Sequence, residues 1–431
     1  MFDWANQPYF TVISTFIFAP YFVSSYIGDP IQGQALWGAA ISSSALLVGV
    51  GAPIVGAIVD VTGNRKCWLA CFQVVLCCCC CLLWMAEPGR LDMLPVILVA
   101  IVISNVSAEY SATLNNAMLP EIVSPRNIGR LSGIGWSLGY VGGLIALCCV
   151  IVASRHQPIL GLGSPPGSYQ IERSTGPATA LWLTVFVLPM FLFTPGRRRA
   201  TISGRAAITV GIGRLIETFR NIRRHENVFI FLLAYMIAYD GLITIISFGG
   251  IYAANLFGWG SEELGIFGIL ITTIAIPSVF VCGALEDRFS SKKIIQLSIL
   301  IIFFSTLGIL SITKNSIFFG VPTPQRAEQI QKFGSIGEQV FLAFAMLLGI
   351  GMGPLQAASR SLVARLSPPD KVGEFFGIFA LSGRATSFLA PLIVTIALPI
   401  FKTQRVTPIV VLFFLITGFL LMSRVSDNSH R

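Results

Sequence analysis

The stretch GAIVDVTGNRK, residues 56–66, ends an apolar run at an aspartate and follows it with a basic pair. A modified copy, GALEDRFSSKK, occupies residues 283–293 and again joins an aspartate to a basic cluster. The stretches that begin at Ser124 (SPRNIGRLSGIG) and Ser367 (SPPDKVGEFFGIF) form a second such pair, in which Gly133 and Gly377 align at an offset of 244 rather than 227 residues. Two related halves that run in the same direction are typical of proteins built from parallel structural repeats.

The composition places both halves in a membrane. Hydrophobic residues make up 54% of the 431 residues, charged residues make up only 11%, and the mean hydropathy is +0.78. Repeated apolar runs of about 20 residues match the length that a helix needs to cross a bilayer core. The sequence therefore predicts an all-α integral membrane protein with twelve transmembrane helices in two six-helix bundles. We place these helices at about residues 8–27, 35–59, 67–86, 93–119, 131–153, 178–194, 228–256, 264–285, 294–313, 335–357, 373–396 and 406–423.

The basic residues predict the orientation in the membrane. With both termini in the cytoplasm, 20 of the 29 arginines and lysines fall in inner segments, eight fall in outer loops, and Arg384 lies within a helix. This asymmetry follows the positive-inside rule, and it predicts cytoplasmic termini in a bacterial inner membrane. The first apolar run has no basic leader and no small-residue cleavage site, so we expect a retained membrane helix rather than a signal peptide.

Three domains follow from the spans: an N-terminal bundle at 1–194, a cytoplasmic linker at 195–227 and a C-terminal bundle at 228–431. Apolar residues in the linker recur on one helical face beside arginines, which predicts an amphipathic basic helix on the inner membrane surface. The residues of this face are Ile208, Ile212, Leu215, Ile216, Phe219 and Ile222. A calmodulin-like or nucleic-acid partner is the alternative for this helix; we predict the bilayer and no nucleic acid.

The first repeated stretch resembles the loop signature of the major facilitator superfamily. The matching residues are Gly56, Asp60, Gly63, Arg65 and Lys66. Three sharper stretches begin at Phe2 (FDWANQPYFTVISTFIFAPYF), Asn115 (NNAMLPEI) and Gln356 (QAASRSLVARLSP, continuing to Ile393). They resemble the branch that contains the fungal vacuolar amino-acid effluxers, called autophagy-related protein 22-like, and their bacterial relatives.

This resemblance covers essentially the whole chain. It implies twelve helices and secondary transport, and it implies amino-acid efflux more weakly, because the bacterial members largely lack assigned substrates. Members of the family carry a cytoplasmic lead before the DWAN motif, whereas here Asp3 follows almost directly on Met1. A protein start upstream of Met1 is therefore an expectation.

Three charged residues lie deep within predicted spans: Glu109, Asp240 and Arg384. Each is twelve residues from the inner end of its span, or about 18 Å at the rise of an α-helix, so we expect one layer near the midplane. A charge at this depth costs about 2.5–3.5 kcal/mol on insertion scales, which indicates a function or a structural ion pair. We expect Asp240 or Glu109 to exchange a proton with the cavity while Arg384 holds a substrate carboxylate. Ion pairs that lock helices together are the alternative.

Polar residues accompany this layer. Asn105 and Asn116 recur at helical spacing with Glu109, either along the transport pathway or as hydrogen-bonding partners between helices. Aligning TVIS in the first helix with TIIS in the seventh places Asn6 opposite Tyr239 and Gln7 opposite Asp240. We add Asn6, Gln7 and Tyr239 to the predicted substrate or proton pathway, together with the neighbouring Tyr9.

The repeated loops are predicted gates. Asp60 and Asp287 lie at helix C-termini, where a carboxylate is unfavourable unless a cation offsets it. The expected partners are Arg65, Lys66, Arg288 and Lys293. Such pairs can latch the two bundles in one state and break in another; ordinary solvated loop charges are the alternative.

Other functional classes lack support in the sequence. The sequence contains no phosphate-binding glycine-rich Lys-Ser/Thr loop and no zinc-protease histidine pair, which argues against ATP-driven pumping and metal catalysis. The five consecutive cysteines Cys77–Cys81 point in different directions on a helix, so they cannot converge on one metal ion. We predict no enzyme activity, no metal and no cofactor. The prediction is a monomeric, proton-linked secondary transporter of a small organic solute, with amino acids or related zwitterions as the favoured substrates. A drug exporter is the alternative within this class, and a non-transporting membrane receptor or scaffold is the alternative from another class.

Overall fold

The computed structural model describes residues 1–155, 169–194, 205–220, 225–313, 315–323, 333–387, 389–401, 403 and 405–426. Its α-helices are α1 (Phe2–Pro8), α2 (Phe18–Tyr21), α3 (Pro30–Thr62), α4 (Arg65–Leu82), α5 (Leu94–Ala117), α6 (Leu119–Ile122), α7 (Ile128–Arg155), α8 (Gln170–Phe193), α9 (Arg205–Arg220), α10 (Glu226–Phe257), α11 (Ser261–Phe289), α12 (Ser291–Leu310), α13 (Ile336–Leu366), α14 (Val372–Ala385), α15 (Leu389–Phe401) and α16 (Val406–Arg424). Two short strands, β1 (Ser316–Ile317) and β2 (Val321–Pro322), form an antiparallel hairpin that the sequence did not predict.

Ten helices in the described part of the chain are long and apolar enough to cross a membrane. They correspond to every predicted span except the first and the eleventh. In a bilayer each helix must satisfy its own backbone hydrogen bonds, which is why runs of apolar residues locate these spans well. Two boundaries differ clearly: α8 starts at Gln170 rather than near 178, and α13 continues to Leu366 rather than ending near 357.

The first predicted span is not a single α-helix. Residues Tyr9–Phe16 and Phe22–Tyr26 are π-helical, and Ile17 and Ile27 each donate a backbone hydrogen bond to the carbonyl five residues earlier, at 3.1 Å. Pro8 and Pro20 carry no backbone N–H and cannot continue a regular α-helical pattern. Short π-helical turns occur frequently at functional sites, so this irregular first span is a candidate part of the functional site.

The eleventh predicted span is also interrupted, at Thr386 and Ser387, between the end of α14 and the start of α15. Pro391 has no N–H to donate to the carbonyl of Ser387, four residues earlier, which explains why the helix does not continue through this point. The Ser387 hydroxyl and the Leu389 N–H instead bond the carbonyls of Arg384 and Thr386, at 3.1 and 2.6 Å. Interrupted helices in transporters commonly mark binding sites.

The chain forms two compact units. Unit 1 comprises residues 1–124, 138–220 and 367–381, and unit 2 comprises residues 125–137, 221–366 and 382–431. The units differ from the predicted domains mainly at two helices. Unit 1 contains the first turns of α14, and unit 2 contains the first turns of α7. Helix α9, from the predicted linker, belongs to unit 1.

Each unit has its own apolar core. In unit 1, one cluster contains Tyr9, Phe18 and Phe22 of the first membrane span, packed with residues of α4, α5 and α8. In unit 2, Trp259 and Phe341 lie at the centre of an aromatic cluster, with ring centroids 5.5 Å apart. These cores fix the positions of the polar side chains described next.

Candidate functional site

Asp60 is the centre of a polar network in unit 1. Its carboxylate forms an ion pair with Arg65 at 2.6 Å, and both side chains are only 3% exposed. The same carboxylate accepts a hydrogen bond from the backbone N–H of Glu374, at the start of α14, at 2.9 Å. One aspartate therefore joins the end of α3 to the start of α14.

Arg65 extends this network toward the end of α5. Its guanidinium bonds Glu121 at 2.8 Å and the carbonyl of Ala117 at 2.7 Å. Lys66 does not take part, although the sequence predicted it as a partner of Asp60. Its ammonium instead bonds the carbonyls of Phe191 and Thr194 at the end of α8, where a cation favourably offsets the helix dipole.

Asp287 has the corresponding position in unit 2. Its two oxygens accept hydrogen bonds from the backbone N–H groups of Gly129 and Arg130, at 2.9 and 2.8 Å, at the start of α7. Its cation is Arg365 on α13, at 2.6 Å, which also bonds the hydroxyl of Ser291 at 2.9 Å. The two aspartates thus make equivalent contacts with helix starts.

The predicted cations for Asp287 were wrong. Arg288 is exposed and lies over the ring of Phe289, 5.8 Å from its centroid, and Lys293 is exposed on the first turn of α12. Arg288 is the next residue after Asp287 on α11, so its side chain points about 100° around the helix from the aspartate. Lys293 comes after Ser290, whose φ of 146° redirects the chain between α11 and α12. Arg365 was assigned to a loop by the sequence, whereas the extension of α13 brings it to Asp287.

Glycines allow close helix contact at both networks. In unit 2, a Cβ atom on Gly133 would lie 2.8 Å from the Cα of Gly283, so α7 and α11 touch through their backbones. In unit 1, a Cβ atom on Gly373 would lie 2.7 Å from Asp60 Oδ1. A larger residue at either position would separate the helix start from its aspartate.

Sequence reasoning missed Glu374 and the Gly129–Arg130 pair as partners of the aspartates. A signal for them was present, because the offset of 244 residues that aligns the second repeated stretch places Gly129 at Gly373 and Arg130 at Glu374. No comparable signal identified Arg365, which lies 78 residues from Asp287.

A buried polar group in unit 1 joins the first span to α5. The hydroxyl of Tyr9, 1% exposed, lies 2.9 Å from that of Ser104, and Asn105 donates to the Ser44 hydroxyl of α3 at 2.6 Å. Glu109 is half-buried one turn further along α5, close enough to influence Tyr9 electrostatically. The structure therefore brings together three of the predicted pathway residues.

Other predicted residues in unit 1 have different surroundings. Asn6 is 4% exposed, and its side-chain oxygen has no hydrogen-bond partner among the residues that the structure describes. Gln7 is half-buried against α7, where a Cβ atom on Gly143 would lie 2.9 Å from its Cγ. Asn116 is half-buried near the end of α5.

In unit 2, Asp240 is 1% exposed in the middle of α10. No hydrogen bond of good geometry reaches either carboxylate oxygen from the described residues, but the Thr386 hydroxyl lies beside the carboxylate, within range of an interaction, at the interruption between α14 and α15. A carboxylate buried in a membrane helix is costly, so its position beside a helix interruption suits a functional role. Sequence reasoning singled out Asp240 but missed Thr386.

Tyr239 and Arg384 lie in the same unit. Tyr239 stacks on Tyr235, with centroids 5.2 Å apart, and both rings approach Gly383 of α14. Arg384 is half-buried, one residue from the end of α14. Because Glu109 belongs to unit 1, the layer that it was predicted to share with Asp240 and Arg384 stays a prediction.

Among the described residues, no group of three or more His, Cys, Asp or Glu side chains could hold a metal ion. Each unit contains instead one ion-paired helix junction and one buried polar group.

Comparisons with known proteins identify the family of the chain. A family model described as "Vacuole effluxer Atg22 like" matches residues 23–431. The full chain is 24% identical to the uncharacterized MFS-type transporter YxiO of Bacillus subtilis (strain 168), and it covers 94% of that protein. It is 24% identical over 311 residues, 70% of the chain, to autophagy-related protein 22 of Cryptococcus neoformans var. neoformans serotype D (strain JEC21 / ATCC MYA-565), and covers 51% of that protein's length.

A solved structure supports the fold. The E. coli fucose:proton symporter FucP superimposes with a TM-score of 0.70 at 13% sequence identity, and the match covers 99% of this chain and 97% of that one. A likeness at this identity shows the fold alone, which is the twelve-helix major facilitator fold predicted from the sequence.

Proposed function

Since the chain belongs to the vacuole effluxer Atg22-like family of major facilitator transporters, we propose that it is a proton-linked secondary transporter of amino acids or related zwitterions. The position of Asp240 is the observation that carries this proposal, because its carboxylate is buried, forms no ion pair among the described residues and lies beside an interrupted helix. A group in these surroundings suits a proton that is gained and lost during the cycle.

The helix interruption also favours a zwitterionic substrate. Thr386 and Ser387 lie outside the regular helical pattern between α14 and α15, and Arg384 lies just before them. A guanidinium binds a carboxylate through two parallel hydrogen bonds, so Arg384 is the proposed partner of the substrate carboxylate. In this assignment Arg384 binds the carboxylate that amino acids share, and Asp240 carries the proton.

The two ion-paired junctions are the proposed gates. Asp60 with Arg65 and Asp287 with Arg365 hold helix starts in the present state, and release of these contacts would accompany the change to another state. In this proposal the transporter is a monomer in a bacterial inner membrane with both termini in the cytoplasm, and the name of the family model suggests export.

The test is the thermal stability of the detergent-purified protein with amino acids, dipeptides, organic acids, sugars and hydrophobic cations. A ligand at 100 times its dissociation constant adds about 2.7 kcal/mol of stability. We expect amino acids to stabilise the wild type and Arg288→Ala, which changes an exposed arginine, but not Arg384→Ala. Stabilisation by hydrophobic cations and by no amino acid would reject the zwitterion proposal in favour of drug export.

A further inference from the structure

Helix α9 presents three different faces. The face toward unit 1 is buried and contains Ala207, Gly211, Leu215 and Thr218. A second face consists of large apolar side chains that are 37–49% exposed, namely Ile208, Ile212, Ile216 and Phe219. The third face is exposed and includes Glu217 and Arg220. The predicted apolar face was therefore nearly right, except that Leu215 turns toward the protein; Ile222 lies outside the described residues.

Helix α9 packs against α3 close to the end of that helix. A Cβ atom on Gly211 would lie 3.0 Å from the Cα of Ile58, so α9 packs on the backbone of α3. Ile58 is four residues from the end of α3 at Thr62, or about 6 Å along the helix. Amphipathic helices at membrane surfaces bury their apolar face about 5–10 Å into the boundary between headgroups and acyl chains.

The buried face of α9 contacts the gate in unit 1. The Thr218 hydroxyl accepts a hydrogen bond from the ammonium of Lys371 at 2.9 Å and lies within range of the Glu374 carboxylate, which is 1% exposed. The backbone N–H of Glu374 in turn bonds Asp60. A continuous series of polar contacts therefore runs from α9 to the Asp60–Arg65 pair.

The charge of the linker indicates which lipids would lie beside α9. Residues 195–227 contain eight arginines and two glutamates. Each basic residue near an anionic membrane surface contributes about 1 kcal/mol of attraction. Anionic phospholipid headgroups thus complement the linker, and acyl chains complement the exposed isoleucines.

We propose that α9 is a lipid-responsive regulator of the gate. Its apolar face inserts among anionic phospholipids of the leaflet beside the Gly63 turn, and this holds Thr218 against Lys371 and Glu374. The contact keeps the start of α14 on Asp60. When α9 leaves the lipid surface, the start of α14 loses this support and the gate opens more readily. Within the described residues of unit 2, Asp287 has no such helix beside it.

The test measures hydrogen–deuterium exchange of the full-length protein in nanodiscs of phosphatidylcholine, with or without phosphatidylglycerol. We expect phosphatidylglycerol to slow exchange in residues 206–219 and 372–379. Ile212→Ser combined with Ile216→Ser is expected to raise exchange about tenfold in both segments, equivalent to about 1.4 kcal/mol of opening free energy. Thr218→Val is expected to raise exchange in 372–379 alone, because it removes the contact to the gate and keeps the apolar face.

Val210→Ser is the matched control. Val210 is 36% exposed, close to the 37% of Ile212, but lies on the polar side of α9 beside Gly213 and Glu217. Equal exchange in the isoleucine variant and in Val210→Ser would overturn lipid binding by the apolar face, and so would equal exchange with and without phosphatidylglycerol. If the isoleucine variant changed hydrogen–deuterium exchange in residues 206–219 but not in residues 372–379, the proposal that α9 regulates the gate would be wrong. None of these outcomes depends on the transported solute, so the proposed function is tested separately.

Discussion

The carboxylate of Asp60 accepts a hydrogen bond from the backbone N–H of Glu374 at 2.9 Å, across 314 residues of sequence. This contact explains a conflict in the sequence, since a carboxylate at the C-terminus of α3 opposes the helix dipole there. At the N-terminus of α14 the same charge is favourable. The charge of Asp60 is therefore unfavourable for the dipole of α3, which carries it, but favourable for the dipole of α14, which it contacts.

Replacement of Asp60 by asparagine should destabilise unit 1. The asparagine side chain can still accept a hydrogen bond from Glu374, but Arg65 loses its buried carboxylate partner and keeps only the more exposed Glu121. We expect Asp60→Asn to lower the free energy of unfolding by about 3 kcal/mol. We also expect it to reduce transport turnover more than solute binding, as a latch requires. Unfolding curves and a flux assay in liposomes provide these measurements.

Asp29→Asn is the control for this variant. Asp29 caps the start of α3 through the N–H groups of Ile31 and Gln32, and asparagine caps a helix equally well. Its stability should match the wild type. If Asp60→Asn were equally stable, the ion pair with Arg65 would contribute nothing to the gate.

Arg365 should tolerate lysine poorly. Its guanidinium reaches Asp287 at 2.6 Å, Ser291 at 2.9 Å and Glu286 at 3.8 Å, a set of directions that one ammonium cannot reproduce. Arg365→Lys is expected to cost about 2 kcal/mol in thermal unfolding experiments. Arg288→Lys should stay within about 0.5 kcal/mol of the wild type, because Arg288 is exposed. Equal losses in the two variants would contradict the assignment of Arg365 as the partner of Asp287.

The contact between α7 and α11 should depend on Gly133. An alanine there would place a methyl group 2.8 Å from the backbone of α11, and forced separation of packed helices costs about 1–3 kcal/mol. Gly265→Ala is the matched substitution, because a Cβ atom on that helical glycine meets nothing within 4 Å. It should raise stability by up to about 1 kcal/mol through helix propensity. Melting temperatures that changed in the same direction for both variants would show that backbone contact at Gly133 is not required.

Asp240→Asn should separate proton coupling from solute binding. Asparagine imitates a permanently neutral aspartic acid, so exchange of labelled solute across liposomes is expected to continue. Uptake or efflux driven by a pH gradient should stop. Glu109→Gln tests the other carboxylate of the predicted layer. Gradient-driven transport that persisted at full rate in both variants would exclude proton coupling through these two residues.

The sequence by itself determined the helical membrane architecture, the related halves and the presence of three charged residues, Glu109, Asp240 and Arg384, within predicted spans. These features are local, because a bilayer requires each span to be apolar and to satisfy its own backbone, and because an ionisable residue within a span is conspicuous. The interruption before Leu389 was also encoded locally, by Pro391, although only the structure revealed it.

Only the tertiary structure decided which side chains meet. Arg365 rather than Arg288 binds Asp287, Lys66 binds the end of α8, and Leu215 turns toward the protein. Sequence proximity favoured the wrong cations, because consecutive residues of a helix, such as Asp287 and Arg288, point about 100° apart, and because Lys293 belongs to the next helix. Partners in such networks depend on which helices cross and how closely their glycines allow them to approach, and these distances arise only when the whole unit packs.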